Sequence, residues 1–418
     1  MRAIVLILAL ALLTGCTAGP SAVSSSAGKP EVLALSASDG RGSLSYEEEA
    51  APLPAVAEAL LEWYFSTWYQ SLATLSEADF APGFCDSTQA ERAAASHRLQ
   101  VGIRTMQPLD YTLTDWSYAL TVDSVEQSAD GALSVRLEED STESFAALPS
   151  VESERYDRMH SFTLEQTAEG WRIRRHSLFD TLESDLWYQW MGEREAAGLT
   201  GSPGFGSRGD TASAYIEAVP DFLDEYAAAL TQRLAEADAE PEPVAAAYAY
   251  DREAAVAYAD AYAGSRNPEW PDYTRSGGNC QNYASQVLLA GGVPMDPYGG
   301  AVWKWYGDSV SNTAGSYGRS SSWSGVKQFI EYARSNTGYG LAAVVDAPYQ
   351  SGEAGDLLHM GSGGDMRHTV VIVEPIDGDD GATVDYLVDS NTGNLRHYPA
   401  SLYGYPDQLL VHIAGWNA

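Results

Sequence analysis

The chain has 418 residues, and 58 acidic against 24 basic side chains give it a formal net charge of -34 at pH 7. This balance argues against nucleic acid as a partner, because binding to phosphates requires clustered Lys and Arg that the sequence does not contain. The length predicts two folded units joined by linkers.

The first residues predict export. An apolar run at 3–13 follows Met1-Arg2 and is too short to span a bilayer as a permanent helix. Leu13-Thr14-Gly15-Cys16 resembles the lipobox of bacterial lipoproteins, which implies cleavage before Cys16 and lipid on its sulfur. We expect residues 1–15 to be a signal peptide and Cys16 to anchor the chain at the extracytoplasmic face of the cell membrane. The alternative is an ordinary signal with an incidental cysteine.

A flexible tether and a first domain are predicted next. Residues 16–45 are rich in Ser, Ala and Gly and have no apolar period. Residues 46–180 predict an α+β domain, in which helices at Ala55–Ser71 and Thr88–Met106 precede an antiparallel meander of alternating strands. This order is similar to the cone-shaped fold of nuclear transport factors and steroid isomerases. The domain offers no nucleophile with a base, so we assign it a positioning or recognition role.

Two histidines flank the last hairpin of this first domain. His160 and His176 are expected to be satisfied surface residues, with a metal pair as the alternative. Residues 181–247 then predict a helical connector. Its helix, Ala212–Ala239, should be broken or kinked at Pro220 and should pack on one neighbour.

The most informative stretch is Gly277-Gly278-Asn279-Cys280, followed by a short helix with apolar residues at helical spacing. Asn279 can cap the helix, and Cys280 then lies at its electropositive end, where a thiolate is stabilised and the pKa of the thiol falls. We interpret Cys280 as a nucleophile; the alternative is a buried, unreactive cysteine. If Cys16 is lipidated and Cys280 stays a thiol, the chain keeps no structural disulfide, and Cys85 is a packed bystander.

Several short motifs around Cys280 resemble the putative amidase domain family, a bacterial branch of the papain-like cysteine hydrolases related to the NlpC and CHAP cell-wall amidases. They are Tyr250-Asp251-Arg252, Ala255-Val256, Tyr258-Ala259, Asn267-Pro268, Gly277-Gly278-Asn279-Cys280, Asn282-Tyr283, Ser285-Gln286 and Ala290-Gly291-Gly292. The resemblance covers residues 248–418. It implies a C-terminal papain-like domain with cysteine amidase or peptidase activity.

A thiolate nucleophile needs a base, and His368 is the candidate because it begins a short apolar strand in the second half of the domain. His359, at the end of the preceding strand, ranks below it. Asn391, or Asp389 two residues earlier, is expected to hold the imidazole of His368 in the correct tautomer. The backbone N–H of Cys280 is the expected oxyanion donor.

The sequence therefore predicts a membrane-anchored cysteine hydrolase that cleaves an amide through a thioester at Cys280, with cell-wall peptide as the expected substrate. No metal or nucleotide cofactor is predicted. Two other classes stay open: an acyltransferase that uses the same cysteine and histidine, and a catalytically inactive binding lipoprotein at the cell surface.

Overall fold

The computed structural model describes residues 40–179, 208–235, 239–274, 278–298, 302–305 and 319–418. The predicted signal peptide, Cys16 and most of the predicted tether lie outside these residues. The described chain is a mixed structure of helices and one mostly antiparallel sheet, so the α+β class is confirmed. Within the described residues, every helix is too short or too polar to cross a membrane.

The front half of the chain, residues 40–179, contains two long helices and five strands, and the back half is formed by the described residues of 239–418. Both predicted helices are present and begin within one residue of the expected positions. The first strand takes in residues 42–45, which the sequence analysis assigned to the tether, because it pairs in parallel with the second strand. The elements are β1 Gly42–Tyr46, α1 Ala55–Thr74, α2 Ser87–Met106, β2 Leu113–Gln127, β3 Leu133–Phe145, β4 Leu148–Thr167 and β5 Gly170–Phe179.

A long helix, α3 Arg208–Leu234, connects the two halves and runs through Pro220 without ending there. Its Tyr226 hydroxyl donates to the backbone oxygen of Ser401 at 2.9 Å and accepts from Nε2 of Gln107 at the same distance. Because Gln107 belongs to the front half and Ser401 to the back half, the connector packs on both neighbours, whereas the sequence predicted only one.

The back half places its helices around six strands. Two of the helices follow each other closely and are separated by Gly325. The elements are α4 Arg252–Tyr262, α5 Cys280–Ala290, α6 Ser321–Ser324, α7 Val326–Ser335, β6 Gly340–Ala347, β7 Leu357–Ser362, β8 Asp365–Asp377, β9 Thr383–Ser390, β10 Leu395–Pro399 and β11 Asp407–Asn417.

The two halves share one sheet. Its strand order is β1-β2-β3-β4-β10-β9-β8-β7-β11-β6, with β5 also paired to β4. The connection between the halves is the antiparallel pair of β4 and β10, in which Leu395 lies opposite Arg155 and Arg396 opposite Glu154. The two predicted domains are therefore connected through one continuous hydrogen-bonded sheet, and we call the pair of β4 and β10 the joint.

Both faces of the sheet are covered in the back half. On β8, Val370 and Ile372 belong to the core that extends into the front half, whereas Val371 and Val373 belong to the core under the back-half helices. A strand that is buried on both faces needs apolar residues at every position. This burial accounts for the uninterrupted apolar run that follows His368.

Buried charges lie at the joint. Glu143 on β3 is fully buried and accepts hydrogen bonds from Arg104 and Arg155, the latter through Nε at 2.9 Å. The hydroxyl of Tyr398 on β10 lies 3.2 Å from the same Arg104 guanidinium. The joint is thus specified by paired charges as well as by apolar contacts.

The two histidines predicted at the surface of the front half are buried instead. Nδ1 of His160 is 3.0 Å from Nε2 of His176, and the other ring nitrogens contact Glu139 and the hydroxyl of Tyr64 at 3.0 Å each. Burial lowers the pKa of His176 well below its usual value. The two imidazoles therefore form a chain of hydrogen bonds inside the front half, between α1 and the sheet, in which His176 is neutral.

Candidate active site

Cys280 is the first residue of α5, as the sequence predicted. The side chain is buried, and backbone N–H groups of Thr369, Gln281 and Cys280 itself point towards its sulfur. N–H groups at a helix start stabilise negative charge. The sulfur therefore lies where a developing thiolate is solvated by the backbone.

Burial nevertheless raises the pKa of the Cys280 thiol, because the loss of solvent outweighs the three N–H groups that lower it. The helix start alone predicts the opposite, a lowered pKa for the thiol. Since the helix start is covered by β8, desolvation is the larger effect. At neutral pH the resting group is a thiol, and a base must remove its proton.

His368 on β8 is the base that the sequence predicts. Its Nε2 lies 3.0 Å from Oγ of Ser390 and 3.3 Å from the hydroxyl of Tyr403. The Ser390 hydroxyl donates to the backbone oxygen of Thr392, and the Tyr403 hydroxyl donates to that of Gly393. Both side-chain oxygens are thus left to accept from Nε2–H, which leaves Nδ1 unprotonated and able to take a proton.

The structure brings His368 and Cys280 to the same site. Thr369, whose N–H points at the sulfur, follows His368 directly in β8. The Tyr403 phenol also connects them, since it contacts Nε2 of His368 and interacts electrostatically with the Cys280 thiol. Burial lowers the pKa of His368 to about 3, so this imidazole is neutral at rest.

The two residues expected to orient His368 lie elsewhere. Asn391 donates from Nδ2 to the backbone oxygens of Tyr262 and Ser265, both at 2.7 Å. Oδ1 of Asp389 accepts from the backbone N–H of His397 at 2.8 Å. Because neighbouring residues of a strand point to opposite faces, a contact between β9 and the imidazole made by Ser390 turns both flanking side chains away.

Asn279 also differs from the expectation of a helix cap. Its side chain makes no capping hydrogen bond to α5. Oδ1 accepts from the backbone N–H of Tyr273 at 3.0 Å, and Nδ2 donates to Oδ1 of Asn391 at 2.5 Å. Asn279 and Asn391 therefore act together, and they tie the start of α5 to the end of β9 and to the segment after α4.

His359, the competing base, is held in a second buried chain. Its Nδ1 lies 2.9 Å from Oγ1 of Thr369, which donates to Oε1 of Gln281 at 2.9 Å. Burial and the neighbouring His368 lower the pKa of His359 to about 3. This chain supports Thr369 and Gln281, two residues whose N–H groups point at the sulfur.

The Tyr250-Asp251-Arg252 motif fastens the helices to the sheet. Arg252 donates to Oδ1 of Asp356 and to the backbone oxygen of Ile413, both at 2.8 Å. The Tyr250 hydroxyl donates to the backbone oxygen of Gly355 at 3.1 Å. The motif is therefore structural: it fixes the start of α4 against the turn before β7 and against β11.

Sequence reasoning missed Ser390 and Tyr403. A signal for Ser390 was available, because strand alternation from an inward-facing Val388 points to Ser390 and excludes Asp389. Tyr403 follows a turn and has no pattern that predicts its position. Cys85, expected to be packed, is exposed, and both Cys85 and Cys280 are free thiols.

Residues 249–413 match the family model described as Putative amidase domain. The uncharacterized protein YhbB of Bacillus subtilis (strain 168) is 34% identical over 127 residues, which are 29% of this chain and 37% of YhbB. The chain thus spans little more than a third of that relative. The crystal structure of the intermembrane space region of chloroplast protein ARC6 aligns with 31% of this chain and 100% of that one, at 19% identity. The TM-score of 0.19 is too low to indicate a shared fold. Residues 249–413 are thus similar to a putative amidase domain, and the matched range includes Cys280, His368 and Ser390.

Proposed function

We propose that the protein is a cysteine amidase or peptidase of papain-like type, anchored through Cys16 at the extracytoplasmic face of the membrane and acting on cell-wall peptide. The observation that supports the proposal is that two buried groups, the Cys280 thiol at a helix start and the neutral His368 imidazole, both interact with the Tyr403 hydroxyl within a range that matches a putative amidase domain. A buried thiol beside an imidazole with an unprotonated Nδ1 is the arrangement that nucleophilic catalysis requires.

The reaction begins with transfer of the thiol proton from Cys280 to Nδ1 of His368 as the sulfur attacks the amide carbonyl. The N–H groups of Cys280 and Gln281 are the nearest donors for the oxyanion that forms. His368 then gives the proton to the leaving amine, and a thioester at Cys280 is left. Water attacks the thioester with His368 as base, which releases the acid and restores the thiol.

The neutral partners of His368 set the energy of this cycle. Ser390 and Tyr403 hold the tautomer, but neither carries a negative charge that would stabilise an imidazolium. We therefore infer that proton transfer and carbon–sulfur bond formation are concerted, without a stable thiolate–imidazolium pair in the resting enzyme.

The test uses purified peptidoglycan and mass analysis of the released fragments. We expect release by the natural protein and by Cys85→Ala, and loss of release in Cys280→Ala and His368→Ala. An added amine that appears in the product identifies an acyltransferase instead. Equal release by Cys280→Ala would contradict the proposed nucleophile.

The anchor is tested separately from the reaction. Cells that express the full chain are labelled with a radioactive fatty acid, and membranes are separated from soluble protein. We expect label and membrane association in the natural chain, with both lost in Cys16→Ala. Label that persists in Cys16→Ala would reject Cys16 as the anchor while leaving the proposed reaction untouched.

A further inference from the structure

Three side chains that the proposed reaction does not use meet near the joint between the two halves. Asp260 lies on α4, Asp389 on β9 and His397 on β10, and one ligand atom from each lies within 4.8 Å of the others. Nε2 of His397 is 2.5 Å from Oδ1 of Asp260. The group therefore joins one helix to two neighbouring strands of the sheet.

The carboxyl group of Asp389 is incompletely satisfied. The residue is fully buried, and its Oδ1 accepts the backbone N–H of His397. Its Oδ2 is closed off from solvent and has no hydrogen-bond partner among the described residues. The Asp260 carboxylate faces it and raises its pKa, after the larger effect of burial. Two acceptor groups that face each other in the interior repel, so a positive species belongs between them.

We propose that Asp260, Asp389 and His397 form a binding site for a divalent transition-metal ion of zinc type. Two carboxylate oxygens and one imidazole nitrogen are a donor set that suits zinc, and a fourth position is left for water. The side chains of Asp260 and His397 are about one-third exposed, at 34% and 31%, so an ion can reach the buried Asp389 from solvent.

The neighbouring charges favour a cation. Arg396 is the nearest basic side chain, with Nε 3.8 Å from Oδ1 of Asp260, but its guanidinium also pairs with Glu154 at 2.8 Å. One arginine therefore serves two carboxylates, and among the described residues Asp389 forms no ion pair, since burial raises its pKa more than the charge of Arg396 lowers it. A proton shared by Asp260 and Asp389 is the competing occupant.

A bound ion would act on the fold and on the site together. It would tie α4 to β9 and β10, and β10 is the strand that pairs with the front half. Asp389 directly precedes Ser390, whose hydroxyl contacts the His368 imidazole. The ion is therefore a structural element of the joint that also fixes the strand carrying Ser390.

The test is calorimetric titration of zinc chloride into the full chain, free of any histidine tag and carrying Cys16→Ser, Cys85→Ser and Cys280→Ala, so that no thiol binds the metal. We expect one zinc ion per chain, and binding weaker by about tenfold or more in His397→Gln and in Asp389→Asn. Circular dichroism verifies folding, and His397→Gln, at a side chain that is about one-third exposed, keeps the test valid if Asp389→Asn does not fold.

The matched control is His412→Gln, which removes another carboxylate-paired histidine, held by Asp356 at 2.9 Å. Its zinc affinity should equal that of the parent. The absence of zinc binding, or equal affinities in the parent, His397→Gln and Asp389→Asn, would overturn the proposal. Binding that is lost in His412→Gln and kept in His397→Gln would overturn it as well.

Discussion

Replacement of Ser390 by alanine tests the orientation of His368 most selectively. The substitution removes the acceptor 3.0 Å from Nε2 and leaves the Tyr403 hydroxyl at 3.3 Å as the second acceptor. A neutral hydrogen bond contributes about 0.5 to 1.5 kcal/mol, so the ratio of the productive tautomer of His368 to the other should fall by roughly twofold to twelvefold. The reactivity of the Cys280 thiol should fall by the same factor.

The assay is the rate of alkylation of Cys280 by iodoacetamide at neutral pH, followed by mass analysis of its peptide. This readout needs no knowledge of the substrate, and it separates Cys280 from the exposed Cys85. The control is Ser153→Ala, which deletes a buried strand hydroxyl that donates to the backbone oxygen of His397 at 2.6 Å. It should alkylate at the parental rate.

An unchanged rate in Ser390→Ala would refute this reasoning. A larger loss in Asn391→Asp or Asp389→Asn than in Ser390→Ala, with folding intact, would restore one of the flanking residues as the orienting group. The comparison is direct because Asp389, Ser390 and Asn391 are consecutive residues at the end of β9.

Other predictions concern pH and charge. In His368→Ala the alkylation rate of Cys280 should rise about tenfold per pH unit between about pH 6 and 8, because the pKa of the thiol is raised and no imidazole removes its proton, whereas the natural protein should show a nearly flat profile; an equally steep rise in both proteins would contradict the role of His368 as base. The free energy of unfolding should fall as the pH drops from about 6.5 to 4, because His359 and His368 keep a pKa of about 3 when folded and take up protons once unfolded. Denaturant midpoints measure this, and a flat profile would contradict it. Glu143→Gln leaves two buried arginines without their carboxylate and should lower the free energy of unfolding by about 3 to 5 kcal/mol. Glu154→Gln removes only a partly exposed partner of Arg396 and should cost less than about 1 kcal/mol in the same denaturant titration; equal losses in the two variants would refute the role of burial.

Local patterns predicted much of this structure. Helical spacing located α1, α2 and α5, and the apolar run after His368 located β8, because these signals arise from short-range periodicity. The position of Cys280 at a helix start followed from the same reasoning. These features depend only on residues close in the chain.

Features that depend on distant pairing were not predictable. The joint of β4 with β10 unites residues far apart in sequence, and nothing in either strand specifies the partner. The pKa of Cys280 depends on β8 covering the helix start, which is also a tertiary effect. Ser390, and not the expected Asn391, contacts the His368 imidazole, because a shift of one residue along a strand reverses the face to which a side chain points.

The most direct measurement of the central claim compares Cys280 alkylation in the natural protein and in His368→Ala at neutral pH. If the imidazole removes the thiol proton, the rate should fall by about a hundredfold or more in His368→Ala and should be restored in part by added imidazole. The matched variant His412→Gln should keep the parental rate. Equal rates in the natural protein and His368→Ala would contradict the pairing on which the proposed amidase chemistry depends.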